Sequence, residues 1–138
     1  MDRDACIAFL EGPPTRTVAL STARPDGTTV TLPVWYRVAG DALHVWTDRE
    51  RAWPQHLTQS GHASFSAYEE AHPFRAVIGG GAAELLTDGE IDVDAEVRLI
   101  VARYIHPDLA DAYIARWSHL RDIARIRMDR LSGWSLGY

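Results

Sequence analysis

The chain has 138 residues, a formal charge of −5 and 46% apolar side chains with no long hydrophobic run, which suits one domain and argues against a membrane-spanning helix, a disordered tail or a repeat array. All 14 basic residues are arginine, set against 19 acidic ones, so Schiff-base lysine chemistry is excluded and no strong general affinity for nucleic acid is expected. Cys6 is the single cysteine, which excludes an intrachain disulfide and a thiolate-rich metal site and fits a reducing, cytoplasmic setting.

The apolar run over residues 5–10 is shorter than a signal-peptide core, so no export signal is expected. Helical spacing over residues 2–10, stopped by Gly12, Pro13 and Pro14, predicts a short leading helix. Residues 17–23 are β-branched and small and read as a strand. Arg24-Pro25-Asp26-Gly27 is strong turn chemistry, and residues 28–38 form the return strand of a hairpin. Pro33 cannot donate to a ladder and belongs at an edge or bulge. Gly40 and Asp41 turn the chain into a third strand, Ala42–Thr47.

Residues 49–60 read as a short helix anchored by Leu57, with Pro54 in its first turn and Gly61 as its stop. His62–Tyr68 and residues 74–86 are strands, the second interrupted by Gly79, Gly80 and Gly81, which points to a bulge, a barrel corner or a close backbone approach. Val93, Val97, Ile100, Val101 and Tyr104 share one helical face. His106 and Pro107 end that helix, and residues 108–120 form another with Leu109, Tyr113, Trp117 and Leu120 on its stripe. Alternation over residues 123–130 predicts a last strand. Many strands joined by short turns predict a small antiparallel barrel in a single domain, not a doubly wound sheet.

The six histidines show no pair at the helical spacing of zinc hydrolases, no serine stands in a Gly-x-Ser-x-Gly frame, and Asp92, Asp94 and Glu96 read as a solvated helix face. The most informative stretch is Thr47-Asp48-Arg49-Glu50-Arg51, where a strand runs into a helix N-terminus. Unpaired amides and two arginines there could anchor a phosphate. On local sequence alone, a solvated turn in which Arg49 and Arg51 pair with Asp48 and Glu50 is the simpler reading. One strand earlier, Thr31-Leu32-Pro33-Val34-Trp35-Tyr36 offers a flat, partly apolar surface for a planar ring; for Trp35 and Tyr36 a core or interface role is equally open.

These stretches together resemble the pyridoxamine 5′-phosphate oxidase-like, FMN-binding split-barrel superfamily, and within it the flavin- and deazaflavin-dependent reductases. The resemblance covers nearly the whole chain. It rests on the order of elements, on residues 23–27 followed by 31–36, on Thr47 and Leu57, on Phe74-Arg75-Ala76-Val77 leading to Gly81-Ala82-Ala83-Glu84-Leu85, and on Trp134. It implies a mainly β (α+β) fold, a six-stranded antiparallel split barrel with flanking short helices. It also implies a homodimer with two cofactor sites at the subunit interface.

The resemblance further implies an oxidoreductase that uses FMN or deazaflavin coenzyme F-420 on a small organic substrate. The ring would lie against Thr31, Leu32, Pro33 and Val34, and the phosphate at the turn formed by Thr47, Asp48, Arg49, Arg51 and Trp53. Hydride chemistry then belongs to the cofactor, and no dedicated acid or base is required; Tyr36 or Tyr68 is a candidate proton donor. Many relatives carry a lysine and an asparagine where this chain has Trp53 and His56, which removes a charge-assisted bond of roughly 1.5–3 kcal/mol unless Arg49 and Arg51 replace it. Failing that replacement, the barrel would serve as a non-catalytic binder or sensor of a planar ligand such as haem, a tetrapyrrole or an aromatic metabolite.

Overall fold

The computed structural model describes residues 1–137. Helix α1 (Arg3–Glu11) is capped by the Asp2 carboxylate, which accepts a 2.8 Å bond from the Ala5 amide, and it turns Cys6, Phe9 and Leu10 to the core. Strands β1 (Val18–Ala23) and β2 (Thr29–Val34) form the expected hairpin, with Val18 opposite Val34 and Ala23 opposite Thr29; Gly27 takes φ 87° in the turn. β2 ends the sheet path, so Pro33 lies on an edge, where its missing donor costs no ladder bond.

The single strand predicted over residues 28–38 is two in the structure. β2 stops at Val34, and β3 (Arg37–Ala39) pairs with β4 (Ala42–Thr47) at the other end of the sheet path. Tyr36 causes the break. Its amide donates to the Tyr104 hydroxyl at 3.1 Å, and its buried phenol donates to the Leu10 carbonyl at 2.6 Å, so contacts with distant helical segments hold this residue out of either ladder.

Helix α2 (Ala52–Ser60) begins three residues later than predicted and ends at Gly61, which sits at φ 73° with its amide on the Leu57 carbonyl. β5 (His62–Tyr68), β6 (Arg75–Leu86), α3 (Val93–Val101) and α4 (Pro107–Arg116) follow. The last strand predicted over residues 123–130 ends early as β7 (Asp122–Arg127), and a strand the sequence did not predict follows it, β8 (Arg130–Ser135). Met128 and Asp129 between them are taken by other partners: the Met128 amide donates to the Asp41 carbonyl, and Asp129 accepts from the Ala82 amide at 2.8 Å. Eight strands thus replace the six expected, within the expected class.

The strands pair antiparallel in the order β2-β1-β5-β6-β7-β4-β3, with β8 also on β6. The ends β2 and β3 are not paired, so the barrel is split and the fold is α+β. β6 changes partner along one edge, from β8 over residues 75–80 to β7 over residues 83–86. Gly81 lies at that change, where a Cβ would overlap the Asp129 carboxylate.

One core fills the barrel and includes Leu20, Tyr36, Leu43, Val45, Leu57, Phe65 and Ile126 with Phe9 and Leu10 of α1. A second lies between the sheet and α3, formed by Val93, Val97, Ile100 and Val101 against Leu86 and Ile123. Each such aliphatic side chain contributes roughly 1.5–3 kcal/mol on burial. β4 is buried on both faces: Leu43 and Val45 point into the barrel, while His44 meets Glu96 of α3 and Trp46 joins the second core. No helix among the described residues is long and apolar enough to cross a membrane.

Candidate functional site

A cavity of about 280 Å³ lies between β2, β4, the start of α2 and the helical segment of α3 and α4. Leu32, Pro33 and Val34 form one wall, and Val45 and Trp46 of β4 form the floor with Ile100 of α3. Arg51 and Trp53 stand at the start of α2, and Tyr113, Trp117 and Leu120 close the far side. The lining is apolar and aromatic, with Arg51 as its one charged member.

Two of the aromatic walls are held by fixed contacts. Trp35, at the corner after β2, stacks on Tyr104 at 4.5 Å with planes 6° apart, and on Tyr113 at 5.4 Å. Tyr104 is itself pinned, because its hydroxyl donates to the Arg16 carbonyl at 2.8 Å while accepting from the Tyr36 amide. The Trp46 indole N–H donates to the Leu120 carbonyl at 2.8 Å, tying the floor to the segment after α4. Stacked rings of this kind hold one another's orientation and contribute roughly 0.5–1.5 kcal/mol per pair beyond their burial.

Of the residues singled out in the sequence, Leu32, Pro33, Val34, Trp35, Arg51 and Trp53 meet in this cavity. Thr31, Tyr36, Thr47, Asp48 and Arg49 do not line it. Thr31 shares a hydrogen bond with Ser21 at 2.7 Å and faces a separate concave surface with Ser64 and Ile78. Thr47 is fully buried, and its hydroxyl has no hydrogen-bond partner among the described residues. Asp48 shapes the turn, accepting from the Glu50 and Arg121 amides.

Arg49 points away from the cavity. Its Nε and one terminal nitrogen donate to the fully buried Asp122 carboxylate at 3.2 and 2.9 Å, and its backbone amide donates there at 2.8 Å. Burial pushes the Asp122 carboxyl up, but the bonds from Arg49 outweigh it and hold the group below its usual range. The local pairing of Arg49 and Arg51 with Asp48 and Glu50 is therefore not what forms. Arg49 pairs with a residue far along the chain, and Arg51 has no ion pair among the described residues.

The two tyrosines considered as proton donors stand outside the cavity. Burial pushes Tyr36 up to about 12 and its hydroxyl is spent on Leu10, while Tyr68 is exposed on β5. Tyr113 lines the cavity instead; burial raises its pKa, and its hydroxyl has no hydrogen-bond partner among the described residues. The sequence shows Tyr113 and Trp117 only as part of an apolar stripe, with no sign of a site. In the structure α4 buries none of its residues fully, and Tyr113, packed on the edge of the second core, and Trp117, just after α4, line the cavity.

Solved structures with the same fold include a conserved hypothetical protein of Mycobacterium tuberculosis, 21% identical, covering 99% of this chain and 86% of its own, with a TM-score of 0.78. An FAD-binding protein of Mesorhizobium loti is 17% identical over 96% of this chain and 92% of its own, with a TM-score of 0.69. An F-420 reductase is 23% identical over 89% of this chain and 92% of its own, with a TM-score of 0.67. No curated protein matches the chain in sequence. The family model described as pyridoxamine 5′-phosphate oxidase matches residues 3–135, nearly the full length, and the chain belongs to that family.

Proposed function

We propose that the chain is a homodimeric oxidoreductase that uses a flavin-type cofactor, FMN or deazaflavin coenzyme F-420, on a small organic substrate. The observation that carries this reading is the aromatic cavity with a single unpaired guanidinium at its edge. A tricyclic ring needs flat apolar walls and its phosphate needs cations or free amides, and the residues present fit both needs. Leu32, Pro33, Val34 and Trp53 would hold the ring, and Arg51 with the free first-turn amides of α2 would hold the phosphate; no side chain caps that helix end. Two structurally similar proteins, the FAD-binding protein and the F-420 reductase, support a cofactor of this type.

When bound, such a cofactor supplies hydride transfer. The chain's own residues orient it and exclude water: Trp35, Trp46 and Trp117 wall the cavity, and Tyr113 holds a phenolic proton at its rim. Dimerisation is supported by the broad outer face of β2, β1, β5, β6 and β8. Ser21, Thr31, Ser64 and Ser132 are small there, while Tyr68, Ile78 and Trp134 are large, apolar and exposed.

A non-catalytic binder of a planar ligand such as haem is the second reading. It is favoured by the commitment of Arg49 to Asp122, which leaves one guanidinium for a phosphate, and by an indole at position 53. The absorption spectrum of the purified protein, followed by titrations with FMN, F-420 and haemin, separates the two. A haemin complex with no response to either redox cofactor would replace the first reading by the second.

A further inference from the structure

Helices α3 and α4 both border the aromatic cavity, but they are held very differently. α3 buries Val93, Glu96, Val97, Ile100 and Val101, whereas α4 buries none of its residues fully and has only Ala110, Tyr113 and Ile114 half-buried. A helix covered along so thin a stripe opens at a lower cost than one seated in a core. Charge adds little. The Arg98–Asp111 pair between the two helices has side chains 62% and 87% exposed, and water screens a pair of that kind.

The segment that carries α4 has firm ends and a loose middle. At one end the Tyr104 hydroxyl is tied to the Arg16 carbonyl and the Tyr36 amide, and its ring stacks on Trp35 at 4.5 Å with planes 6° apart. At the other end the Leu120 carbonyl accepts from the Trp46 indole. Between them Tyr113 meets the same indole of Trp35 at 5.4 Å with planes 25° apart, and its hydroxyl has no hydrogen-bond partner among the described residues. The outer joint of this three-ring stack is the weaker one. The helix also stands between two cavities. Tyr113 and Trp117 face the aromatic one, while Ile114 and Ser118 face a second of about 210 Å³, which shares Trp46 and Leu120 with the first. Side chains that border a cavity lack partner atoms on one side and are held less tightly. The aromatic cavity, at about 280 Å³, lies just under the roughly 300–1,000 Å³ of pockets that enclose drug-sized ligands, so a large planar ring needs the room that movement of α4 provides.

We infer that α4 is a lid on the aromatic cavity. Tyr104 and Leu120 are its fixed ends; residues 106–118 move outward, Tyr113 leaves Trp35, the ligand enters, and Tyr113 and Trp117 close over it. The inference rests on the aromatic cavity being the ligand site, as both readings above have it, and it applies to a flavin-type cofactor and to haem alike.

Hydrogen exchange on the whole protein tests the opening, and stopped-flow binding tests the gate. Without ligand, the amides of α4 are expected to exchange about a hundredfold or more faster than those of α3. Tyr113→Ala is expected to speed α4 by about threefold to tenfold more, while Tyr113→Phe, which keeps the stacked ring, leaves the rate as it is. Mixing with FMN, F-420 and haemin in turn is expected to give, for each that binds, a rate that levels off with rising concentration at the opening rate, and a higher plateau in Tyr113→Ala. Exchange of α4 in step with α3 would overturn the lid, and that comparison decides alone if Tyr113→Ala does not fold. A binding rate that climbs without levelling, or one plateau shared by the wild type and Tyr113→Ala, would also overturn it and leave the cavity standing as the ligand site. No binding of any of the three would overturn both.

Discussion

His44 accepts a 3.1 Å hydrogen bond at Nε2 from Nε of Arg125, its cross-strand neighbour on β7. An accepting Nε2 leaves the imidazole proton on Nδ1, which faces Glu96 Oε2 at 3.1 Å. Arg37 holds the same carboxylate with two bonds of 2.6 Å, and Glu84 meets Arg125 from the other side. Arg37, His44, Arg125 and Glu84 form one row across β3, β4, β7 and β6, with α3 docked on it through Glu96. The row balances in charge only while His44 is neutral.

Stability is therefore expected to fall as the pH drops below about 6.5. Burial pushes His44 below its ordinary 6.5, against the pull of Glu96, so the unfolded chain binds a proton that the folded one resists. Below 4.5 the loss deepens, because the Arg37 bonds hold Glu96 low against the opposing effect of burial. Thermal melts at stepped pH check this. His44→Gln keeps an acceptor for Arg125 but does not titrate, and an unchanged slope between pH 7 and 5 in that variant would rule out His44 as the source.

Arg51→Ala is expected to weaken binding of a phosphorylated cofactor by about 1–3 kcal/mol and to leave the melting temperature alone, since the side chain lines the cavity and makes no ion pair among the described residues. Arg49→Ala is expected to lower the melting temperature, because Asp122 is fully buried and loses its partner. Isothermal titration and melts on both variants check the contrast. A stability loss confined to Arg51→Ala would reverse the assignment.

Trp53 is buried to 7% exposure yet lines the cavity, so it serves packing and recognition at once. Trp53→Ala is expected to cost about 3–5 kcal/mol in urea denaturation. Trp53→Phe keeps a ring and should cost less, with partial loss of ligand quenching.

Gly81 and Asp129 are expected to couple. An added methyl at Gly81 meets the Asp129 carboxylate, so Gly81→Ala should cost about 1–3 kcal/mol. Asp129→Ala removes that clash but leaves the Ala82 amide without its acceptor. In a double-mutant cycle the two costs should fall short of additive by at least about 0.5 kcal/mol; strict additivity would place the strain elsewhere.

Ile78 is 46% exposed in the middle of the outer sheet face, beside Ser66 on β5 and Ser132 on β8. Ile78→Glu is expected to turn a dimer into a monomer in sedimentation at micromolar concentration. A wild-type monomer under the same conditions would remove the dimer from the proposal.

The elements themselves were legible because their signals are local. Alternation, the Pro25-Asp26-Gly27 turn, the Gly61 stop and the 3.6-residue stripe of α3 each act over a few residues, and each lies where the sequence placed it. The resemblance was legible too, since it rests on ordered short stretches spread along the chain. The break after β2 and the early end of β7 were not, because Tyr36 is held by Leu10 and Tyr104, and the segment after β7 is held by Asp41 and Ala82.

The amino-acid order by itself determined a small antiparallel barrel with a flat apolar strand leading to an arginine-bearing turn, since hydrophobic period and turn chemistry are properties of neighbouring residues. Only the tertiary structure decided which arginine is free. Asp122 lies 73 positions from Arg49 and reaches it because β7 pairs with β4, while the same folding carries Tyr113 and Trp117 over the cavity. Electrostatic partners and cavity walls depend on distances through space, and those exist only once the sheet has closed its register.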